Sequence, residues 1–339
     1  MTASLGGARI LVTGGAGFIG SALVRLLAAH GADVVVLDNL VNGKRENLAG
    51  LDPARTRLAV ADIRDDKAVE QLLDGVDVVY HLACLGVRNS IHAPLENHEV
   101  NADATLRLLL AARRLKVGRF VTVSTSEVYG TCRFTPMTED HPTLTKTVYG
   151  GSKLAGESYT RAFWETYGYP TVVVRPFNAF GPRCHHEGDS GEVIPKFMLR
   201  ALAGRELVVF GDGSQTRDFT FVEDTARAIL LAGVRDAAVG ETINVGQGAE
   251  ITVTALAKAV ADCLNRDVTI THDQPRPGDV IRLLADSAKA EKLLGYAPEV
   301  SLADGLARLR DWYLASGKSA EDLLRDEVVH NWTQTPASA

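Results

Sequence analysis

Short runs of aliphatic and β-branched residues recur through the first half of the chain: RILVT, DVVVL, RLAV, DVVYHL, RFVTV and TVVVR. Each is almost unbroken in its apolarity. Continuous rather than alternating apolarity suits parallel strands covered on both faces. Between the runs, FIGSALVRLLAAH and NADATLRLLLAARRL carry apolar positions at helical spacing, with Gly31 and Gly118 placed as stops. Strand–helix alternation of this kind predicts an α/β fold, a Rossmann-type doubly wound parallel sheet with right-handed crossovers. Beyond residue 176 the pattern loosens into loops rich in Gly, Pro and Arg (FNAFGPRCHHEGDSGE, GDGSQTRD, DQPRPGD), separated by the helical segments VIPKFMLRALAG, ITVTALAKAVADCL and LADGLARLRDWYL. The expectation is a smaller C-terminal α/β lobe presenting loops toward the first. Residues 1–176 with 211–247 make the first domain and 177–210 with 248–317 the second, leaving 318–339 as a short polar helix and a fraying tail.

Composition narrows the class without naming a chemistry. The 339 residues are 46 % hydrophobic and 23 % charged, an ordinary globular balance. A formal charge of −6 weighs against a nucleic-acid or anionic-membrane surface. No apolar run reaches the roughly 20 residues of a membrane helix, and the first residues lack the layout of a secretory signal. Cys84, Cys132, Cys184 and Cys263 show no CxxC spacing, which suits free thiols in a reducing cytoplasm.

The first chemical signal is TGGAGFIG, residues 13–20, which follows one apolar run and opens a helix. Gly14, Gly17 and Gly20 let the backbone turn tightly, approach a pyrophosphate and pack the helix against the sheet, with phosphates over the helix N-terminus. Asp38 ends the second strand eighteen residues after Gly20. A carboxylate there accepts from both ribose hydroxyls and repels a 2′-phosphate, favouring NAD over NADP. Asp62, after the third strand, is either an adenine contact or a surface-turn acid.

The second signal is YGGSK. Tyr149 and Lys153 are four residues apart on one helix face, where an ammonium would lower the phenol pKa and make Tyr149 an acid/base. The third is STSEVYG, residues 124–130, which sets Thr125, Ser126 and Glu127 at the end of the run RFVTV. Strand alternation would put Thr125 and Glu127 on one side. An acid at the end of a buried strand is costly unless solvated, paired or used. The consecutive Cys184, His185, His186 and Glu187 do not make a metal site, because adjacent side chains diverge; a hydrogen-bonding histidine is the better expectation. Cys84 reads as a small buried hydrophobe near the cofactor.

Taken with LDNLVNGK, ADIRD, YHLAC, RPFN, GDGSQTRDF, INVG, RPGD and LGYAP, these motifs resemble the extended short-chain dehydrogenase/reductases of the NAD-dependent nucleotide-sugar epimerase/dehydratase family over about residues 8 to 315. The resemblance implies that Thr125 hydrogen-bonds the sugar 4-hydroxyl, Tyr149 takes its proton and Lys153 holds the nicotinamide ribose. It implies an NAD site of Gly14, Gly17, Phe18, Ile19, Gly20, Asp38, Asn39, Asn42, Gly43, Asp62, Ile63, Leu82 and Ala83 with Tyr149 and Lys153. A nucleotide-diphosphate sugar would be bound by Arg217 and Arg276, with Asn178, Val193 and Arg88. Glu127 matches the glutamate that removes the C5 proton in family dehydratases, while Ser126 stands where dTDP-glucose dehydratases have an aspartic acid. The Thr-Ser-Glu form resembles GDP-mannose dehydratases and UDP-glucuronate decarboxylases; TGGAGFIG and DNLVNGK resemble UDP-galactose 4-epimerases. Dehydration at C4–C6 is placed first, 4-epimerisation second and decarboxylation third. A non-catalytic NAD-binding regulator and a dehydrogenase releasing NADH are the competing classes. The helices NADATLRLLLAARRL and SKLAGESYTRAFWETY resemble the family's four-helix contact and imply a homodimer.

Overall fold

The computed structural model describes residues 5–188, 190–276 and 280–330, so Pro277, Gly278 and Asp279 of the RPGD motif lie outside the described residues. The first half runs β1 (Arg9–Thr13), α1 (Phe18–Ala29), β2 (Asp33–Asp38), β3 (Thr56–Val60), α2 (Asp66–Leu73), β4 (Val78–His81), α3 (Val87–His92), α4 (Pro94–His98), α5 (Ala104–Arg114), β5 (Arg119–Val123), α6 (Val148–Tyr167) and β6 (Thr171–Pro176). The second half runs β7 (Asn178–Phe180), α7 (Val193–Leu202), β8 (Leu207–Phe210), β9 (Thr216–Phe221), α8 (Val222–Val234), β10 (Thr242–Val245), β11 (Glu250–Thr252), α9 (Val253–Cys263), β12 (Ile270–Asp273), α10 (Ala288–Leu294), α11 (Leu302–Ala315) and α12 (Ala320–Leu323).

Seven strands form one sheet in the order β10-β6-β5-β4-β1-β2-β3, all paired in parallel. The apolar runs explain its burial. In β1, Ile10 and Val12 enter the cluster covered by α1 and α8, while Leu11 enters the one covered by α2, α5 and α6. Each fully buried aliphatic side chain of this kind contributes about 1.5–3 kcal/mol. Strand order reverses between β1 and β4, which opens a crevice at their C-terminal ends.

The second lobe is built on two small sheets. In one, β9 lies between β7 and β11; in the other, β8 pairs with β12. Asp218 of β9 is buried and takes the backbone N–H groups of Gln247 (2.8 Å), Gly248 (3.0 Å) and Ala285 (3.1 Å), tying three segments to the strand that carries Arg217. Within 211–247, therefore, β9 pairs with second-lobe strands, and α8 and β10 return to the main sheet. As far as residue 330 the C-terminal segment is tied to the rest of the second lobe. Arg200 binds Glu327 at 2.9 Å, Lys196 donates to the Val328 carbonyl at 2.7 Å, and His330 meets Asp273 at 2.7 Å.

Candidate active site

A cavity of about 1260 Å³ runs between the lobes, lined by the glycine turn, the ends of the main-sheet strands, α7 and the second-lobe sheets. That exceeds the ~300–1,000 Å³ usual for a single small ligand.

The cofactor end is a backbone construction. Gly14 has φ +69°, and a Cβ there would stand 2.7 Å from the Ala83 nitrogen; at Gly20 it would stand 2.1 Å from the Gly14 carbonyl oxygen. Gly17 caps α1 without a side chain, leaving the first-turn N–H groups facing the cavity. Asp38 sits buried at the β2 end, where its carboxylate accepts from Ala16 N–H (3.0 Å) and Leu40 N–H (2.8 Å). Phe18, Ile19, Asn39, Asn42, Gly43, Asp62, Ile63, Leu82 and Ala83 line the same end. Arg64 grips Asp62 through two hydrogen bonds of 2.9 and 2.8 Å and, as the main cause, holds its carboxyl at about 2. These residues fit an NAD: glycines where a Cβ would collide, an uncapped helix N-terminus for phosphate, and a strand-end carboxylate for a ribose.

Beside it, Tyr149 and Lys153 stand on the first turns of α6, whose N-cap Thr147 accepts from the Gly150 N–H at 3.0 Å. Asn97 and Asn101 fix this helix to the loop after β4. Asn101 bonds the Leu85 N–H and the Ser152 hydroxyl, and Ser152 donates to Asn97. Lys153 is buried and donates to the Val123 carbonyl at 2.7 Å. Here the structure corrects an expectation. The Tyr149 phenol is not lowered by the lysine: burial pushes it well above its ordinary value, Cys84 adds to the rise, and the hydrogen bond with Thr125 opposes it. Burial lowers the Lys153 ammonium in turn.

A second correction concerns STSEVYG. Strand β5 ends at Val123, and Ser126–Val128 form a single 3₁₀ turn capped by Thr125, whose hydroxyl accepts the Glu127 N–H at 3.2 Å. Alternation along a strand therefore does not relate Thr125 to Glu127. The turn achieves a similar end by another route: Glu127 lines the cavity and its charge reaches Tyr149. Ser126 is buried, and neither it nor Thr125 is among the residues lining the cavity; Thr125 reaches the site through its hydrogen bond with Tyr149.

At the far end Asn178, Val193, Arg88, Arg217 and Arg276 all line the cavity. The Asn178 Oδ1 is buried without a partner among the described residues, as an atom kept for a ligand would be. The consecutive residues 184–187 diverge: Cys184 is buried, His185 lines the cavity, His186 packs edge-on to Tyr313, and Glu187 pairs with Lys44. Sequence reasoning missed Glu192, Lys196, Arg200, Phe210, Glu327 and Val329, which also line the cavity. No spacing signals them, since α7, β8 and the C-terminal segment meet only in the fold. The Lys196 ammonium is lowered to about 8, mainly by burial; Glu327 opposes this, while Arg276, Arg88 and Arg200 reinforce it.

A family model described as GDP-mannose 4,6 dehydratase matches residues 11–309. The chain belongs to this family, the NAD-dependent nucleotide-sugar epimerases and dehydratases. It is 36 % identical over 306 residues to a putative UDP-glucose 4-epimerase of Methanocaldococcus jannaschii, covering 89 % of this chain and 97 % of that one. Among solved structures, the epimerase Mth375 of Methanothermobacter thermautotrophicus superposes with a TM-score of 0.88 at 36 % identity, covering 95 % of each chain. DesIV, a dTDP-glucose 4,6-dehydratase of Streptomyces venezuelae determined with NAD and TYD bound, gives 0.84 at 38 % identity, covering 91 % of this chain and 97 % of that one. Similar identities to epimerases and dehydratases leave the reaction to be argued from side chains. Among the described residues no helix is long and apolar enough to cross a membrane.

Proposed function

We propose that this protein is an NDP-hexose 4,6-dehydratase that works through a 4-keto sugar. The observation that carries the reading is Glu127, a carboxylate opening onto the cavity beside Tyr149. Bound NAD supplies hydride exchange with the sugar. Tyr149 takes the 4-hydroxyl proton as a phenolate, a form that the positive charge of a bound nicotinamide would favour against the rise caused by burial, while Thr125 hydrogen-bonds the same oxygen and Lys153 holds the nicotinamide ribose. Arg217 and Arg276 clamp the diphosphate with forks that match its geometry, and Asn178, Val193 and Arg88 complete the substrate side. Once C4 is a ketone the C5 proton is acidic, and Glu127 is the base that removes it. A 4-epimerase needs no such base, because the keto sugar need only turn over and take hydride on its other face.

One observation favours 4-epimerisation as the second reading. Ser126 is buried away from the cavity, so the position beside Glu127 offers no acid for a leaving hydroxyl. Incubation with UDP-, dTDP-, GDP- and CDP-hexoses followed by mass spectrometry separates the two: loss of one water supports dehydration, and unchanged mass with inversion at C4 supports epimerisation. Glu127→Gln should lower the dehydration rate on the order of 10²–10⁴-fold, the usual weight of a positioned general base. The protein acts as a homodimer through α5 and α6, where Leu110 and Tyr167 are exposed and Arg113 stacks on the Tyr167 ring; light scattering giving a monomer mass would contradict this.

A further inference from the structure

A 4,6-elimination needs two proton carriers, one to remove H5 and one to protonate the departing hydroxyl. Among the described residues lining the cavity, the carboxyls are those of Asp38, Asp62, Glu96, Glu127, Glu192 and Glu327. Four are already engaged elsewhere. Asp38 takes two backbone N–H groups at the cofactor end. Asp62 and Glu96 share Arg64, and Glu327 is paired with Arg200 at the opposite end. Glu127 and Glu192 are the two whose charge reaches Tyr149.

The two arrive from different lobes. Glu127 lies on the turn after β5, and Glu192 caps α7, its N–H held by the His185 carbonyl at 3.0 Å. Among the described residues the Glu192 carboxyl has no hydrogen-bond partner, and besides Tyr149 its charge reaches the buried Cys184 thiol and Tyr313 phenol. None of these is a cation that would hold it ionised.

We infer that Glu192 is the proton donor to the departing C6 hydroxyl, facing Glu127 as the C5 base across the sugar. This rests on the 4,6-dehydratase reading. In the step, the C5–H bond breaks with its proton going to Glu127, and its electron pair forms the C5–C6 double bond. The C6–O bond breaks, and the oxygen leaves as water with the Glu192 proton. No electrons enter or leave. Burial raises the Glu192 carboxyl to about 8, so it is protonated at neutral pH and suited to donate. An acid on α7 thus fills the role that Ser126 cannot.

The test is Glu192→Gln, assayed beside the wild type with UDP-, dTDP-, GDP- and CDP-hexoses and their 6-deoxy-6-fluoro analogues. Fluoride departs without a proton, so it bypasses the donor. The expected variant releases water from the hydroxyl substrate on the order of 10²–10³-fold more slowly and still exchanges H5 with D₂O. It eliminates fluoride at a rate near wild type and binds the nucleoside diphosphate with unchanged affinity by calorimetry. Water release at the wild-type rate would overturn the assignment. So would loss of H5 exchange without rescue by fluoride, which would make Glu192 a positioning residue. Failure of the wild type itself to release water from any hexose would remove the dehydratase reading, and is seen before a variant is made.

Discussion

The two ends of the cavity are built by different means. The cofactor end is made of backbone: glycines, an open helix N-terminus and one strand-end carboxylate, all from the contiguous stretch β1 to β2. The far end, proposed for the substrate, is made of side chains drawn from α3, α7, β8, β9 and the C-terminal segment. Backbone geometry tolerates no added atom, while a side-chain site changes with each residue it recruits. That difference lets one fold keep a cofactor site while the side chains at the other end vary.

The comparison is broken most severely at Gly20. Its missing Cβ would stand 2.1 Å from the Gly14 carbonyl oxygen, so Gly20→Ala must displace the turn. NAD affinity measured by fluorescence titration should fall on the order of 100-fold; an unchanged affinity would mean that the turn does not set the site.

Between the two ends lies a buried support. Glu157 binds Arg175 at 2.9 and 2.6 Å, and Arg175 donates to the Tyr129 hydroxyl at 2.7 Å beneath α6. Glu157→Ala leaves the guanidinium unpaired and should cost about 3–5 kcal/mol of stability in chemical denaturation, with both ends weakened together.

A substitution at the substrate end should act on one ligand alone. The Arg200–Glu327 pair is partly buried and ties the C-terminal segment to α7 at that end. Glu327→Ala should weaken binding of a nucleoside diphosphate by about 10-fold and leave NAD affinity unchanged. Equal loss of both ligands would contradict the division.

The smallest effect separates two carboxyls by sign. For Glu157, burial alone would raise the carboxyl, but hydrogen bonds and charge from Arg175 outweigh it and the net value is lowered. Its stabilisation is present above the unfolded value and is lost as pH falls. Glu192 is raised by burial to about 8, so its contribution is present below the unfolded value and is lost as pH rises through about 8. Glu192→Gln should therefore gain in Tm relative to wild type between pH 5 and about 9; a constant difference across that range would contradict the assignment.

Much of the main sheet was legible because each strand is a local apolar run and each covering helix a local period. TGGAGFIG was legible for the same reason: the tight turn and the close helix packing are encoded within eight residues. The set of Thr125, Tyr149 and Lys153 could be read as motifs, but not its electrostatics, since the rise of the Tyr149 phenol depends on burial by segments far away in sequence. The 3₁₀ turn at Ser126–Val128 was hidden because a hydroxyl N-cap reads locally like a continuing strand. Glu192, Lys196 and Glu327 carried no signal; each is an ordinary surface-type charge until the fold encloses it.

The central claim is that Glu127 converts a shared 4-keto intermediate into elimination. The most direct measurement is the mass of the product formed by the wild type in D₂O from the panel of nucleotide hexoses. Loss of one water with one deuterium incorporated at C5 is the predicted result. A product of unchanged mass, inverted at C4 and free of deuterium at C5, would contradict it.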